Sequence, residues 1–347
     1  MILFTAKEKT LSGYSFIDLF CGIGGFHYAL ASLGARCVFA SDIDEEIQKS
    51  YYTNFRITPQ GDITKIDETT IPDHQIICAG FPCQPFSISG NQLGFKDPRG
   101  KLFFDIIRIA RHHKPKVILL ENVKNLENHN NGKTLKSIKR ELTKIGYNTF
   151  SEVLCASDFR IPQARKRIYI VAFRNDIQSN SFHFPNKSDT FRTVEDILIR
   201  DNENTIPGTY YINRDTFFTS VEPDRVNKLV RIGHVGLGRQ GERIYSIHGV
   251  SSTLSSQGGG LGGRTGMYRI NGMVRKLYPR ECARLMGFPD SFKLSSSAEK
   301  NYKQFGNSVV VDVIQVIARE IGNILYLDDL SKKQASKKER AEMQNDG

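Results

Sequence analysis

Three short stretches of the chain put reactive side chains where a ligand can meet them. In Gly80-Phe81-Pro82-Cys83-Gln84-Pro85-Phe86-Ser87 a cysteine directly follows a proline at the end of the apolar run 76–79. Pro82 lacks an amide donor and fixes its own φ. A lone cysteine is usually a small buried hydrophobe. Cys83 instead leaves a strand and opens a loop rich in Gly and Ser, which is the setting of a nucleophile. The thiolate is the attacking species, so such a site must favour the charged form of the sulfur. Glu121-Asn122-Val123 ends the apolar run 117–120, and Gln163-Ala164-Arg165-Lys166-Arg167 opens the run 168–173. Taken singly, Glu121 reads equally as a helix cap and Arg165 as a surface charge. A Cys, a Glu and an Arg at one sheet edge form a coherent set for covalent and acid–base chemistry.

A second group of residues suits a nucleoside. Asp18-Leu19-Phe20-Cys21-Gly22-Ile23-Gly24-Gly25-Phe26 joins a strand to a helix through small residues, which let a ligand lie against backbone and helix N-terminus. The dinucleotide fingerprint GxGxxG is absent, which argues against a nicotinamide dehydrogenase. Asp42 ends the next strand, where an acid takes ribose hydroxyls. In Gly61-Asp62-Ile63 the carboxylate suits an adenine amino group and the isoleucine its ring edge. Both acids also fit ordinary helix caps.

These residues need a scaffold that gathers them. Residues 16–20, 37–40, 76–79, 117–120 and 168–173 read as short buried strands. Residues 26–33, 47–55, 102–112 and 134–145 read as helices. The alternation predicts an α/β fold, a mostly parallel sheet with helices on both faces. In such sheets ligands collect beyond the C-terminal strand ends. The turn at 18–25, Asp42, the stretch 80–83 and Glu121 all fall there. After about residue 192 periodicity weakens and Gly, Ser and Arg rise, which predicts a second, smaller, loop-rich domain. A helix-like run at 309–327 closes the fold, and the polar stretch 331–347 reads as a disordered tail.

Composition narrows the partners. Net charge is +11 over 347 residues. Residues 224–280 hold ten Lys/Arg against two Asp/Glu, together with twelve glycines. Clustered positive charge fits either a solvated basic face or a polyanion partner. Glycines between the arginines favour the partner, because they let backbone approach a ligand while guanidinium groups reach from loops. The apolar runs are too short to span a bilayer, residues 1–11 lack the apolar core of a signal peptide, and the six cysteines show no zinc spacing. No metal or membrane is expected, and free thiols point to a reducing cytoplasmic setting.

In their order along the chain, these blocks resemble the motifs of the C5-cytosine methyltransferase family. DLFCGIGGF resembles its first motif, GFPCQPFS its nucleophile motif, ENV its acid motif and QARKR its arginine motif. Residues 275–292, RKLYPRECARLMGFPDSF, and 304–311, QFGNSVVV, resemble the last two. The resemblance spans almost the whole chain and is strongest to compact bacterial type II restriction–modification members, including one that reads GCGC. It implies the class I methyltransferase fold with S-adenosylmethionine as cofactor. Cys83 then adds to C6 of a cytosine flipped out of duplex DNA, making C5 nucleophilic. Glu121 holds the N3 edge, while Arg165 and Arg167 orient the base or Glu121. Phe20, Gly22, Gly24, Gly25, Asp42, Ile43, Asp62, Ile63, Pro82, Asn307 and Val309 are the implied cofactor residues. Two positions depart from the usual pattern: Asp42 stands where relatives often have Glu, and Ile43 where they often have an aromatic ring.

The resemblance also implies a DNA-binding set. Residues 83–101 resemble the family's mobile loop, which carries Ser87; Ser89 matches a position that enters the space left by the flipped base, and Arg99 contacts phosphate. Residues 238–243 and 253–260 resemble target-recognition loops. Gln240 enters the vacated duplex position, Arg243 pairs with guanine, Thr253 positions the backbone of the flipped nucleotide, and Gln257 and Gly260 complete the DNA-binding set. Gln257 replaces an aromatic residue of the GCGC-reading relative. The implied arrangement is a catalytic domain over 1–191 completed by 304–330, a target-recognition domain over 192–278 and a hinge over 279–303. A monomer on double-stranded DNA is expected, with a cognate restriction endonuclease acting independently on the same site. The alternatives are a tRNA cytosine-5 methyltransferase, disfavoured by the long basic segment, and an inactive DNA-binding protein, disfavoured by intact Cys83, Glu121 and Arg165.

Overall fold

A computed structural model describes residues 10–81, 102–199, 206–258 and 260–345, with side chains through residue 335. Ten of its elements form the α/β part that precedes the second sheet: β1 (Ser15–Leu19), α1 (Gly25–Ser32), β2 (Arg36–Ser41), α2 (Glu45–Phe55), β3 (Ile76–Ala79), α3 (Leu102–His113), β4 (Val117–Val123), α4 (Lys133–Lys144), β5 (Tyr147–Cys155) and β6 (Lys166–Arg174). The strands lie in the order β2-β1-β3-β4-β6-β5. β2, β1, β3 and β4 pair in parallel, while β6 runs antiparallel to both β4 and β5.

The sheet is therefore mixed rather than parallel throughout. A parallel neighbour needs a crossover, usually a helix, whereas β5 and β6 are joined by a short segment and must run antiparallel. The apolar pattern of the sequence does not mark β5. Its residues YNTFSEVLC sit at the sheet edge with most side chains half-exposed, so they lack the apolar run of a central strand.

Helices cover both faces, as expected. On one face Phe26, Ala29 and Leu30 of α1 pack with Val313, Ile314, Ile317, Ile321 and Leu325 of the last helix, α7 (Val311–Asn345, numbered after α5 and α6 below). On the other, Phe103, Ile106 and Ile107 of α3 and Ile138 and Leu142 of α4 bury the opposite faces of β1, β3 and β4. The last helix brings the end of the chain beside its beginning, where Gln315 donates to Ser32 Oγ at 2.8 Å. It also continues to Asn345, where the sequence reading expects a disordered tail from residue 331. Lys, Ala, Glu, Gln and Met in that stretch are good helix formers, and a helix already nucleated on the core extends at low cost.

A second sheet has the order β11-β10-β9-β8-β7, from β7 (Thr216–Phe218), β8 (Arg231–Val235), β9 (Arg243–Tyr245), β10 (Met267–Ile270) and β11 (Met273–Lys276). Ile232, Val235, Ile244, Met267 and Val274 form its own small core. Tyr245, Leu254, Tyr268 and Ile270 instead join the main core. Between this sheet and α7 lie α5 (Pro279–Leu285) and α6 (Ala298–Asn307). The junction is fastened by Arg275 and Glu281, both buried, in a two-pronged pair at 2.7 and 2.8 Å. Glu281 also accepts the amides of Tyr278 at 2.7 Å and Ile199 at 3.0 Å.

Removing one partner of a buried pair strands the other charge. Arg275→Ala is expected to lower stability by about 3–5 kcal/mol, read as a fall in the urea midpoint. An unchanged midpoint would show that the pair does not hold this junction.

Candidate active site

The first strand ends in a strained turn. Phe20, Gly22 and Gly24 all have positive φ, at 54°, 53° and 84°. For Phe20 this is an uncommon conformation. The glycines differ in what they need. A Cβ on Gly24 would lie 2.1 Å from Phe55 Cε2, and one on Gly25 would lie 2.6 Å from Val309 Cγ2. Those two glycines are set by packing behind the turn. A Cβ on Gly22 would meet nothing within 4 Å, and the amide of Gly22 donates to Asp42 Oδ2 at 3.0 Å. Asp42 Oδ1 accepts the amide of Asp44 at 3.0 Å, so one carboxylate ties the ends of β1 and β2 together. Burial pushes its carboxyl pKa up, and the amides of Asp44 and Gly22 offset part of that.

A cavity of about 750 Å³ opens at these strand ends. Phe20, Gly22, Asp42, Ile43, Asp62, Ile63 and Asn307 line it, as do Glu121, Arg165 and Arg167. Gly24, Gly25 and Val309 are not among the lining residues; Gly24 packs against Phe55, and Gly25 against Val309. Asp62 caps a short 3-10 turn, with Oδ1 accepting Thr64 N at 3.1 Å and Thr64 Oγ1 at 2.8 Å; it is cap and cavity wall at once. Ile43 is 73% exposed at the rim. Pro82, Cys83, Ser87, Ser89 and Arg99 lie outside the described residues.

The two arginines do different things. Arg167 Nε lies 3.1 Å from Glu121 Oε1. Arg165 is buried and donates to backbone carbonyls: Nη1 to Leu254 at 3.2 Å, Nη2 to Gly306 at 3.1 Å and to Ser308 at 2.7 Å. Arg167 thus makes the direct contact with the acid, while Arg165 joins three chain segments beside it. Burial pushes the Glu121 pKa up, and the charges of Arg167 and Arg165 pull it back. A Cβ on Gly80 would lie 3.9 Å from Glu121 Oε2, so this carboxylate stands beside the end of β3, three residues before Cys83.

Two lining or supporting residues escape the sequence reading. Gln163, fully buried, donates to Leu285 O at 2.9 Å and accepts Leu254 N at 3.1 Å. It lies in the QARKR block, which is the available signal. Ser41 lines the cavity with a buried hydroxyl that has no hydrogen-bond partner among the described residues. An unmatched polar atom in a cavity wall is a place for a ligand's polar group. No sequence signal marks it.

The recognition-loop residues gather on the second sheet. Gln240 and Arg243 are exposed on and after a short 3-10 turn whose Glu242 accepts the Arg239 amide at 2.9 Å. Gly262 N donates to Gly241 O at 2.8 Å, which joins this loop to the stretch holding Gln257 and Gly260, both exposed. Thr253 Oγ1 donates to Ala164 O at 2.7 Å, beside Arg165.

With the site in view, comparison with known proteins is decisive. Residues 14–323 match the family described as C-5 cytosine-specific DNA methylase. The chain belongs to this family. The methylase is 51% identical over 320 residues to the type II methyltransferase M.HhaI of Haemophilus parahaemolyticus, covering 92% of this chain and 97% of that one. It is 41% identical to M.HpaII of Haemophilus parainfluenzae, covering 89% of each. Among solved structures, the Dnmt2 methyltransferase of S. pombe shares the fold at a TM-score of 0.67 with 24% identity, over 90% of this chain and 98% of that one. The methylase acts on C5 of cytosine in DNA and depends on S-adenosylmethionine. Among the described residues no helix is long and apolar enough to cross a membrane, and no group of three His, Cys, Asp or Glu is placed to hold a metal.

The cavity fits this cofactor. Asp42 and Asp62 keep lone pairs for hydroxyl and amino donors, Phe20, Ile43 and Ile63 offer apolar faces, and the Ser41 hydroxyl awaits a partner. Asp42→Ala is expected to weaken S-adenosylmethionine binding by about 1–3 kcal/mol, with Asp42→Asn losing less because it still accepts one amide. Isothermal calorimetry giving wild-type affinity for Asp42→Ala would remove Asp42 from the cofactor site.

Proposed function

We propose that Cys83 is the nucleophile that adds to C6 of a flipped-out cytosine, with Glu121 on the N3 edge, in a GC-rich duplex site whose core is GCGC. The observation that carries this reading is the placement of Glu121. It is buried at the end of β4, paired with Arg167, next to Gly80 at the end of β3 and in the wall of the cofactor cavity. A carboxyl group pushed up by burial is suited to share a proton with N3 as the ring gains charge. Arg167 fixes its orientation, and Arg165 holds the surrounding backbone.

When bound, S-adenosylmethionine supplies an electrophilic sulfonium methyl group. The chain supplies the rest. Asp42, Asp62, Ile43 and Asn307 would hold the cofactor, with Phe20 and Ile63 packing on it, and the family resemblance adds Pro82. The Cys83 sulfur bonds to C6, and electron density moves to C5. After methylation, loss of the C5 proton and departure of the sulfur restore the ring. Ser87, Ser89 and Arg99 belong to the DNA-contacting loop. Gln240 fills the position the base leaves, Arg243 reads guanine, Thr253 holds the backbone of the flipped nucleotide, and Gln257 and Gly260 belong to the same DNA-facing loop. The resemblance of residues 238–243 and 253–260 to the loops of a GCGC-reading member supports this target. The similarity to type II methyltransferases supports a role in restriction–modification, with the catalytic and recognition domains divided near residues 191 and 279 and the protein acting as a monomer.

Cys83→Ser should abolish methyl transfer while leaving fold and cofactor affinity near wild type. A duplex with 5-fluorocytosine at the position mapped by bisulfite sequencing should trap the wild-type enzyme covalently, since fluorine cannot leave as a proton does. Substantial turnover by Cys83→Ser would rule the thiolate out.

Arg243 has its own signature. Losing a two-pronged guanine contact should cost roughly 1–3 kcal/mol and relax preference at one base position. Methylation of a duplex library by wild type and Arg243→Ala measures this. A proportional loss on every sequence would make Arg243 only an electrostatic anchor.

A further inference from the structure

Strand register divides the second sheet into two faces. Phe218, Gly233, Ile244, Met267 and Lys276 stand in one cross-strand row. Phe217, His234 and Arg243 stand in the next. Side chains alternate along a strand, so Arg243 shares a face with Tyr245, which pairs with Tyr268. Tyr245 and Tyr268 are buried in the main core. The face whose inner part packs into the main core thus continues outward as the strip Arg243, His234, Phe217.

Phe217 and Arg243 are exposed on this strip and His234 is half-buried. Phe217 is 53% exposed, and its ring stacks on the His234 imidazole at 5.4 Å and 27°. A carbonyl can only accept, so His234 Nδ1 donates its proton to Gly236 O, at 3.0 Å, and the ring is held in place. Gly238, at φ +70°, lets the loop pass close: a Cβ there would lie 2.7 Å from Arg231 Nη2 and 3.1 Å from His234 Cγ. The stacked pair therefore has the Arg231 guanidinium close by and Arg243 as its cross-strand neighbour. Phe217 and His234 together offer an apolar face beside positive charge. The flanking positive charge would repel a second copy of the same strip and suits a polyanion.

We infer that Phe217 and His234 form a platform for the deoxyribose edge of the duplex flanking the target site, beyond the bases read by the recognition loops. The inference rests on Arg243 being a DNA contact. Apolar ring faces pack against sugars, and Arg231 and Arg243 neutralise the adjacent phosphates or bases.

The test measures binding, by fluorescence anisotropy with S-adenosylhomocysteine present, to duplexes sharing the site that the wild type methylates but differing in flank length. Wild-type affinity should rise as flanks lengthen. The double variant Phe217→Ala, His234→Ala should lose about five- to tenfold on long duplexes and little on the shortest, the scale of one aromatic contact. Its target preference should be unchanged. Phe217→Asp, which adds a repelling charge at an exposed position, should show the same length-dependent loss. Equal losses at every length, or none, would overturn the platform. So would a concentration-dependent dimer in sedimentation that the double variant abolishes, which would make a second copy the occupant. Arg243→Ala separates the two readings. If it leaves target preference intact while the double variant still loses affinity only on long duplexes, the platform stands and the assignment of Arg243 falls.

Discussion

The buried guanidinium of Arg165 is the constraint on which the site depends. A cation removed from water must be compensated by polar groups of the protein. Arg165 finds them in the carbonyls of Leu254, Gly306 and Ser308. One comes from the stretch after the β9 strand, and two from the junction between α6 and α7. The start of β6, the second sheet's loops and the end of the chain are therefore held at fixed distances around one charge. The fit is tight: a Cβ on Gly306 would lie 2.1 Å from Ser256 N. Gln163, two residues earlier, also holds Leu254 and ties it to Leu285 at the end of α5. The cavity wall holding Asn307 and the loop holding Thr253 are consequences of this anchoring.

With Arg165 occupied by backbone, Arg167 is available to the acid. The division explains why two arginines one strand step of two residues apart are both needed. Arg165 immediately precedes β6 and Arg167 lies within it, and both line the same cavity. One serves the architecture and the other faces Glu121. Burial pushes the Glu121 carboxyl pKa up, and the two nearby positive charges offset part of that without cancelling it.

Much of this is legible in the sequence, and the failures share a cause. The central strands β1, β3 and β4 are short apolar runs followed by Gly, Asp or Glu, and their ends mark the site. β5 is hidden because an edge strand buries only part of its side chains, so its sequence is polar. The turn at Phe20 reads as a place for small residues near a ligand. Its glycines at 24 and 25 in fact answer to Phe55 and Val309, residues distant in sequence, which no local pattern reveals. The same holds for Ser41 and for the split between Arg165 and Arg167: type and spacing identify which residues gather, while the partner of each depends on tertiary contacts. The final helix is underestimated because a charged tail looks disordered when judged without the folded helix that precedes it.

The arrangement separates what is fixed from what can vary. The cofactor wall is built from strand ends and backbone amides, and its acid Asp42 is held from two sides. Replacing the usual aromatic at position 43 by isoleucine alters one exposed rim residue and leaves those bonds intact. The recognition loops are built differently. They are glycine-rich, joined to each other by Gly262 N to Gly241 O, and fastened to the catalytic part through Thr253 and Arg165. Apart from the Thr253 hydroxyl, the loop side of these anchoring bonds is backbone, so side chains at the loop tips can change without moving the acid or the cavity wall. That independence follows from where the buried guanidinium finds its acceptors.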